Sequence, residues 1–228
     1  MCWFGIRNGG GSSTTPMTYQ LLYKDDVLLG LNKPTGLLAV PGVGPDKQDC
    51  LSARVQADFP EATVLHRLDR DTSGVMVLAR TPEAHRQLSR QFELRQTEKI
   101  YHAVVAGSPA EEEGVIDLPI HRDWTKHDPP MYKIDAEKGR ASVTHWRVLK
   151  RFADRTSLEL QPITGRSHQL RLHLQVIGHP ILGDPIYATP AQQAMADRLM
   201  LHASMLQVTH PVSCEALVMD APCPWPLG

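Results

Sequence analysis

The sequence predicts an α+β fold, with one large mixed, mainly antiparallel sheet flanked by helices and loops. Two observations carry this. Short apolar runs bounded by turn residues outnumber the helical segments, which are scattered among them. The 228 residues are 42% hydrophobic and 21% charged, an ordinary globular make-up able to bury a sizeable core without disulfides or metals.

Taken in order, residues 8–16 are rich in Gly, Ser and Thr, so residues 1–16 read as a flexible leader and 17–228 as the folded domain. Asp26–Asn32 is an apolar run stopped by Lys33-Pro34, and Val75–Ala79 is a second strand. Pro82 fits the first turn of a helix reaching about Leu94. Ile100–Ala106, the alternating Ser142–Leu149 and Ser157–Ile163 read as further strands. Ser167 can cap or open a helix that ends at Gly178, placed as a C′ glycine. On it Leu170, Leu174 and Ile177 share one face, and His168, Arg171 and Gln175 another. A third helix is expected over Pro190–Met200, then strands at Ala203–Thr209 and Ala216–Met219. Neither an internal repeat nor a composition shift marks a second domain.

Cys2, Cys50, Cys214 and Cys223 form no C-x-x-C pair, which favours free thiols in a reducing cytoplasm over a disulfide framework or a zinc site. No apolar run approaches the length of a membrane span, and the N-terminus has no secretory pattern. The net charge is −1, yet it is unevenly spread. Residues 121–173 hold eleven Lys/Arg against six acids, a net +5, whereas residues 174–228 hold one against four, a net −3. The basic stretch suits either a phosphate-facing surface or a merely solvated face.

Three segments can carry chemistry. Val64–Gly74 places His66, Arg67, Asp69, Arg70 and Asp71 between an apolar pair and a strand, the setting of a displayed loop; it also suits a solvent-exposed turn with salt bridges. Asp69 and Asp71 are poorly spaced for a glycosidase pair, and Ser73 lacks the G-x-S-x-G context of a nucleophile. Pro162–Leu174 places Arg166 beside a helix N-terminus, where a guanidinium can hold a carboxylate ionised, with His168, Arg171 and His173 as further donors. The i, i+5 spacing of the two histidines does not suit metal ligation on a helix. In Glu98–Ala106, Tyr101 suits either a packing tyrosine or an acid, base or stacking platform beside a catalytic aspartate. No Walker, Rossmann, H-E-x-x-H or EF-hand motif is present, so no cofactor or metal is expected.

These three segments, in this order, resemble the RluA family of pseudouridine synthases. The family pattern H-R-L-D, then after two residues T-S-G, stands here as His66-Arg67-Leu68-Asp69 and Thr72-Ser73-Gly74. Lys99-Ile100-Tyr101 and Pro162-Ile163-Thr164-Gly165-Arg166-Ser167-His168-Gln169-Leu170-Arg171 match the later motifs. Asn32-Lys33-Pro34, the stretch from Gly178 to Asp184, and Leu201-His202-Ala203 also fit. The chain looks most like the RluA subgroup, without the S4 RNA-binding domain that many relatives carry.

The resemblance implies a single catalytic domain that isomerises a uridine to pseudouridine in a stem-loop of the tRNA anticodon arm or of 23S ribosomal RNA. Asp69 would be the catalytic carboxylate, Arg166 its partner, and Tyr101 a stacking plane and proton carrier. Arg67 would fill the place of the flipped-out base, with His66, Thr72, His168 and Arg171 as RNA contacts. RNA is then the expected partner, with no membrane and no obligate protein partner, in the cytoplasm. A non-catalytic RNA binder would be expected to lack Asp69, Tyr101 or Arg166, and a hydrolase would need a nucleophile elbow or a second well-placed acid.

Overall fold

The computed structural model describes residues 19–126 and 129–227; the leader expected over residues 1–16 lies outside them. The elements run β1 (Gln20–Lys24), β2 (Leu28–Lys33), α1 (Leu51–Asp58), β3 (Thr63–Val64), β4 (Ser73–Ala79), α2 (Pro82–Glu93), β5 (Glu98–Ala106), β6 (Glu113–Asp117), β7 (Ile120–Asp123), β8 (Met131–Ile134), β9 (Val143–Arg151), β10 (Arg155–Pro162), α3 (Gln169–Val176), α4 (Pro190–Gln193), β11 (Leu201–Thr209) and β12 (Ala216–Asp220). Ten strands form one sheet in the order β1-β2-β4-β11-β5-β10-β9-β6, with β3 on β4 and β12 on β11; β7 and β8 form a separate hairpin. The β4–β11 contact is parallel and short, at His202–Ser73 and Ala203–Gly74, and every other pairing of these strands is antiparallel. The sheet is therefore mixed but mainly antiparallel.

β4 shows why the centre of the sheet is rigid. All seven of its residues are buried. Met76 and Leu78 enter a core with Leu29, Leu31, Leu51 and Val55, whereas Val75, Val77 and Ala79 face Ala84 and Leu88 of α2 on the other side. The period-2 alternation thus buries both faces, each large side chain contributing about 1.5–3 kcal/mol. A further core gathers Leu158, Leu160, Leu170, Leu174 and Ile181 under α3. Tyr101 packs against both this core and that of Leu29 and Leu31. At the start of β4, Gly74 has φ +117°, and an added Cβ would lie 2.1 Å from the Ala203 oxygen, so this close parallel crossing admits only glycine.

Of the expected helices, α2 runs as predicted, with Thr81 capping through its side chain. α3 begins later than Ser167: its N-cap is His168, held at φ 56° with no side-chain cap. Its end is the predicted glycine C-cap, with Gly178 N–H donating to Gln175 O at 3.0 Å and His179 N–H to Leu174 O at 2.9 Å. The helix expected over Pro190–Met200 stops at Gln193. The chain beyond it is drawn out by other partners. Arg198 packs its carbonyl against Gly183 and bonds Ser73, and Met200 N–H donates to Leu182 O.

One polar bolt joins β2 to the loop before β4. Lys33 is fully buried, and its Nζ donates to the carbonyls of Pro34 (2.9 Å), Leu37 (2.7 Å) and Arg70 (2.9 Å). Three acceptors call for three protons, so the geometry suits an ammonium. Burial nevertheless pulls its pKa from 10.5 to about 7, opposed by the charges of Asp71 and Asp69. Between those two pH values the unfolded chain binds more protons, so this group makes stability rise with pH across that window. Lys33→Met should abolish this rise in pH-dependent denaturation. It should also speed amide exchange of residues 69–74 by about tenfold or more, with β5 and β10 unaffected.

Candidate active site

The loop from His66 to Thr72 is fixed at both ends. His66 Nε2 accepts the Val77 N–H at 3.0 Å, and its ring stacks on Phe92 at 4.6 Å. Burial lowers its pKa to about 3, so it is a neutral acceptor. Thr72 is buried, and its N–H closes a turn onto Asp69 O at 3.2 Å. Both, expected to contact RNA, line the cavity that Asp69 faces, and they also anchor the loop, His66 through its ring and Thr72 through its backbone N–H. Thr35 Oγ1 adds a 2.6 Å bond to Asp71 O. With Leu68 in the core, Asp69 is left half-buried and facing a cavity of about 600 Å³.

The partner of Asp69 is Arg171, not Arg166. Arg171, 2% exposed, forks onto Asp184 (Nε–Oδ2 2.8 Å, Nη2–Oδ1 2.7 Å) and extends Nη1 to Asp69 Oδ2 at 3.3 Å. Asp184 is also fully buried, and its Oδ1 accepts the N–H groups of Ile186 (2.8 Å) and Tyr187 (3.1 Å). Burial would raise the Asp184 pKa, but the guanidinium and these N–H groups outweigh it and the net shift is downward. Burial disfavours the Arg171 charge too, yet the two carboxylates hold it firmly protonated. A shared guanidinium between one closed and one open carboxylate aims the open one.

Arg166 lines the same cavity, but its Nε donates to Ala141 O at 3.3 Å, toward the mouth. It departs from the expected pairing because α3 starts beyond it, which turns Arg171 inward and leaves Arg166 on the preceding turn. Arg171 is accordingly not placed as a surface phosphate contact. His168 sits between the two arginines. The Tyr187 oxygen accepts the Tyr132 N–H (3.0 Å) and shares a 2.9 Å hydrogen bond with His168 Nδ1, and His168 Nε2 lies 3.9 Å from Asp69 Oδ2. Burial lowers the His168 pKa, only partly offset by Asp69, so at neutral pH this is no ion pair.

Tyr101 and Arg67 also line the cavity. Burial and then the Asp69 charge raise the Tyr101 pKa, so it stands as a phenol beside the carboxylate. Arg67 is exposed, with Nη2 donating to Ser167 Oγ at 3.3 Å. Ser73 does meet a histidine, His202, at 2.8 Å. Both are buried outside the cavity, however, and Ser73 also accepts a 2.6 Å bond from Arg198. The pair therefore holds the sheet together rather than facing a substrate. His173 bonds Thr144 and Leu118 O, away from His168. Among the described residues no group of three or more His, Cys, Asp and Glu is arranged to hold a metal, and no helix is long and apolar enough to cross a membrane.

Sequence reading did not assign roles to Asp184, Tyr187 or Lys33. Asp184 left a trace, an acid directly after an apolar Ile181-Leu182-Gly183, which marks a carboxylate entering the core. Its partner could not be read, because thirteen residues and a helix end separate them.

Comparisons with known proteins agree with this geometry. The RNA pseudouridylate synthase family matches residues 27–176. The dual-specificity RNA pseudouridine synthase RluA of Escherichia coli strain K12 is 47% identical over 203 residues, covering 89% of this chain and 92% of that protein. Its namesake from Yersinia pestis is 50% identical over 192 residues, covering 84% and 92%. The solved structure of human RNA pseudouridylate synthase domain containing 1 superposes with a TM-score of 0.78 at 27% identity, covering 93% of this chain and 87% of that one. The likeness spans the sheet and the cavity together rather than one motif, and this chain belongs to the RNA pseudouridylate synthases, in the RluA subgroup.

Proposed function

We propose that this protein isomerises a uridine to pseudouridine within stem-loops of tRNA and ribosomal RNA, the tRNA anticodon arm and 23S rRNA being the substrates, in the cytoplasm. The observation that carries the reading is Asp69 braced by the buried Arg171–Asp184 pair at a cavity with room for a nucleotide. The RluA relatives are named for dual specificity, and the basic residues of 121–173 other than the buried Arg171 suit an RNA backbone.

The reaction breaks the C1′–N1 bond, turns the uracil and joins C5 to C1′. It is redox-neutral, and the chain's own groups supply what it needs. Asp69 either attacks C1′ or removes the 2′ proton toward a glycal. Arg171 holds it in place at both stages. Tyr101, in the same cavity and within reach of the Asp69 charge, offers an aromatic plane on which the free base can stack. As a phenol it gives its proton to the departing N1, which is easier once the Asp69 charge that opposes its ionisation is lost, and the resulting phenolate takes the C5 proton after C5 joins C1′, so that one proton moves from C5 to N1 overall. A stacked uridine must be flipped into the cavity, at a cost of a few kcal/mol. Exposed Arg67, two residues before Asp69, has the flat cationic side chain to fill the vacated place.

Release of tritium from C5-labelled uridine in a stem-loop RNA tests the reaction directly; RNA binding without release would reject it. Asp69→Asn should still bind RNA but lose at least about a thousandfold in rate, roughly 4 kcal/mol of barrier. Activity near wild type would remove Asp69 from the chemistry. Arg171→Leu strands a buried carboxylate and should cost about 3–5 kcal/mol of stability in denaturant titration. Arg171→Lys should fold but lose about ten- to a hundredfold in kcat, whereas Arg166→Lys should change KM more than kcat; the reverse order would restore Arg166 as the partner of Asp69. For Arg67→Lys, the loss of turnover should be about tenfold larger on a structured stem-loop than on a short flexible RNA. Equal mild losses would leave it an electrostatic contact.

A further inference from the structure

The floor of the cavity is electrically closed, but its mouth is not. Arg95, Lys99, Arg140 and Arg166 all line it, against Glu93 and Asp69 as the acids of the lining. Among the described residues, no ion pair joins any of these four cations to a carboxylate. They do feel one another. Burial, then the positive charges of Arg140 and Arg95, lower the Arg166 pKa, and burial followed by Arg95 lowers that of Lys99.

Three separate elements bring these groups together. Arg95 follows α2 in the left-handed region at φ 58°, a conformation that non-glycine residues seldom adopt. It is held there by the surrounding turn, with Arg95 N–H to Phe92 O at 3.3 Å and Gln96 N–H to Gln91 O at 2.9 Å. Arg140 is fixed by a reciprocal backbone pair with Ile120, at 2.8 and 3.0 Å. Arg166 is tied to Ala141 O, next to Arg140, while its N–H donates to Gln169 Oε1 at 3.0 Å. A fold that fixes the backbones of like charges around one opening, without an internal counter-ion, repels itself until an anion arrives. Elsewhere on the surface, the arginines at positions 54, 80, 86, 147 and 151 have carboxylate partners.

We propose that Arg95, Arg140 and Arg166 form a phosphate subsite at the mouth of the cavity, which takes one backbone phosphodiester of the RNA beside the uridine that enters it. The inference rests on the proposed RNA reaction and extends it. Guanidiniums present planar forks matched to the two non-bridging oxygens of a diester. With that phosphate held at the mouth and Asp69 on the floor, the attached nucleotide has its sugar placed between them. Arg166 then serves substrate binding rather than the carboxylate, and the half-buried Lys99, which feels the Arg95 charge, adds to the field.

The test uses the full chain and a stem-loop RNA that wild-type protein modifies. Binding is followed by fluorescence anisotropy across a potassium chloride series for wild type, Arg95→Gln, Arg140→Gln and the double variant, each checked for folding by thermal melting. Each single variant should weaken binding about tenfold. In the double variant the plot of log affinity against log salt should become shallower by about 0.7–0.9, one phosphate's worth. Arg95→Lys should recover the slope, since it keeps the charge, but not all of the affinity. Replacing single linkages around the target by neutral methylphosphonate should identify one linkage that weakens wild type about tenfold and leaves the double variant unaffected. An unchanged salt slope, or no linkage silenced in the double variant, overturns the subsite. If Arg95→Gln does not fold, Arg140→Gln carries the same comparison. Tritium release on the same RNA separates the two readings. Release with an unchanged slope rejects the subsite alone, whereas a changed slope without release rejects the isomerase reading and leaves an RNA phosphate site.

Discussion

A guanidinium with almost no access to water must be neutralised where it lies, and much of this chain is arranged to do so for Arg171. Its fork is filled by Asp184, which is itself buried and held by two backbone N–H groups. Its remaining nitrogen reaches Asp69. Isolated buried charges cost several kcal/mol each, and only complete pairing recovers that. Gly183, at φ +71° and with no room for a Cβ against Arg198, lets the chain turn so that Asp184 points inward. The Gly178 cap ends α3 in time for this turn. Helix, cap, turn and the loop that carries Asp69 thus depend on one cation.

The same arrangement divides the cavity electrostatically. At the floor every charge has a partner and the histidines are neutral: burial takes His66 to about 3 and lowers His168 as well. At the mouth the cations are left to each other. A polyanionic substrate is drawn to the second region, while the first stays preorganised for charge that develops only during reaction. Surface ion pairs such as Arg86–Glu83 and Arg147–Glu159, by contrast, are screened by water and contribute little.

The loop that carries Asp69 is irregular but not loosely held. His66 is bonded to β4 and Lys33 to the Arg70 carbonyl, and Gly74 lets β4 and β11 meet in the short parallel contact beneath it. In each of these a strand supplies one partner, the Val77 N–H, the Lys33 side chain or the gap at Gly74, so the loop inherits the rigidity of a sheet centre buried on both faces. Arg67 and Arg70 stay on the exposed side. One short segment thus supplies both a fixed acid and exposed cations.

Elements whose causes are local were legible in the residues alone. Alternating and continuous apolar runs marked β4, β5, β9, β10, β11 and β12, Pro82 opened α2, and Gly178 closed α3. The family pattern marked Asp69, Tyr101 and Arg67, and all three line one cavity. Shorter or more polar elements escaped: α1, β1, and the β6–β8 segments carry weak periodicity and are held by the sheet they join. Which arginine serves the carboxylate was settled by packing. Arg166 and Arg171 are five residues apart, and their roles depend on where α3 begins, at a His168 whose left-handed backbone has no sequence signature. Likewise the helix expected to Met200 was cut short by long-range bonds from Arg198 and Met200. Local propensity sets which segments are regular, but the pairing of buried charges is settled between segments far apart in the chain, because only packing removes the water that would otherwise satisfy them.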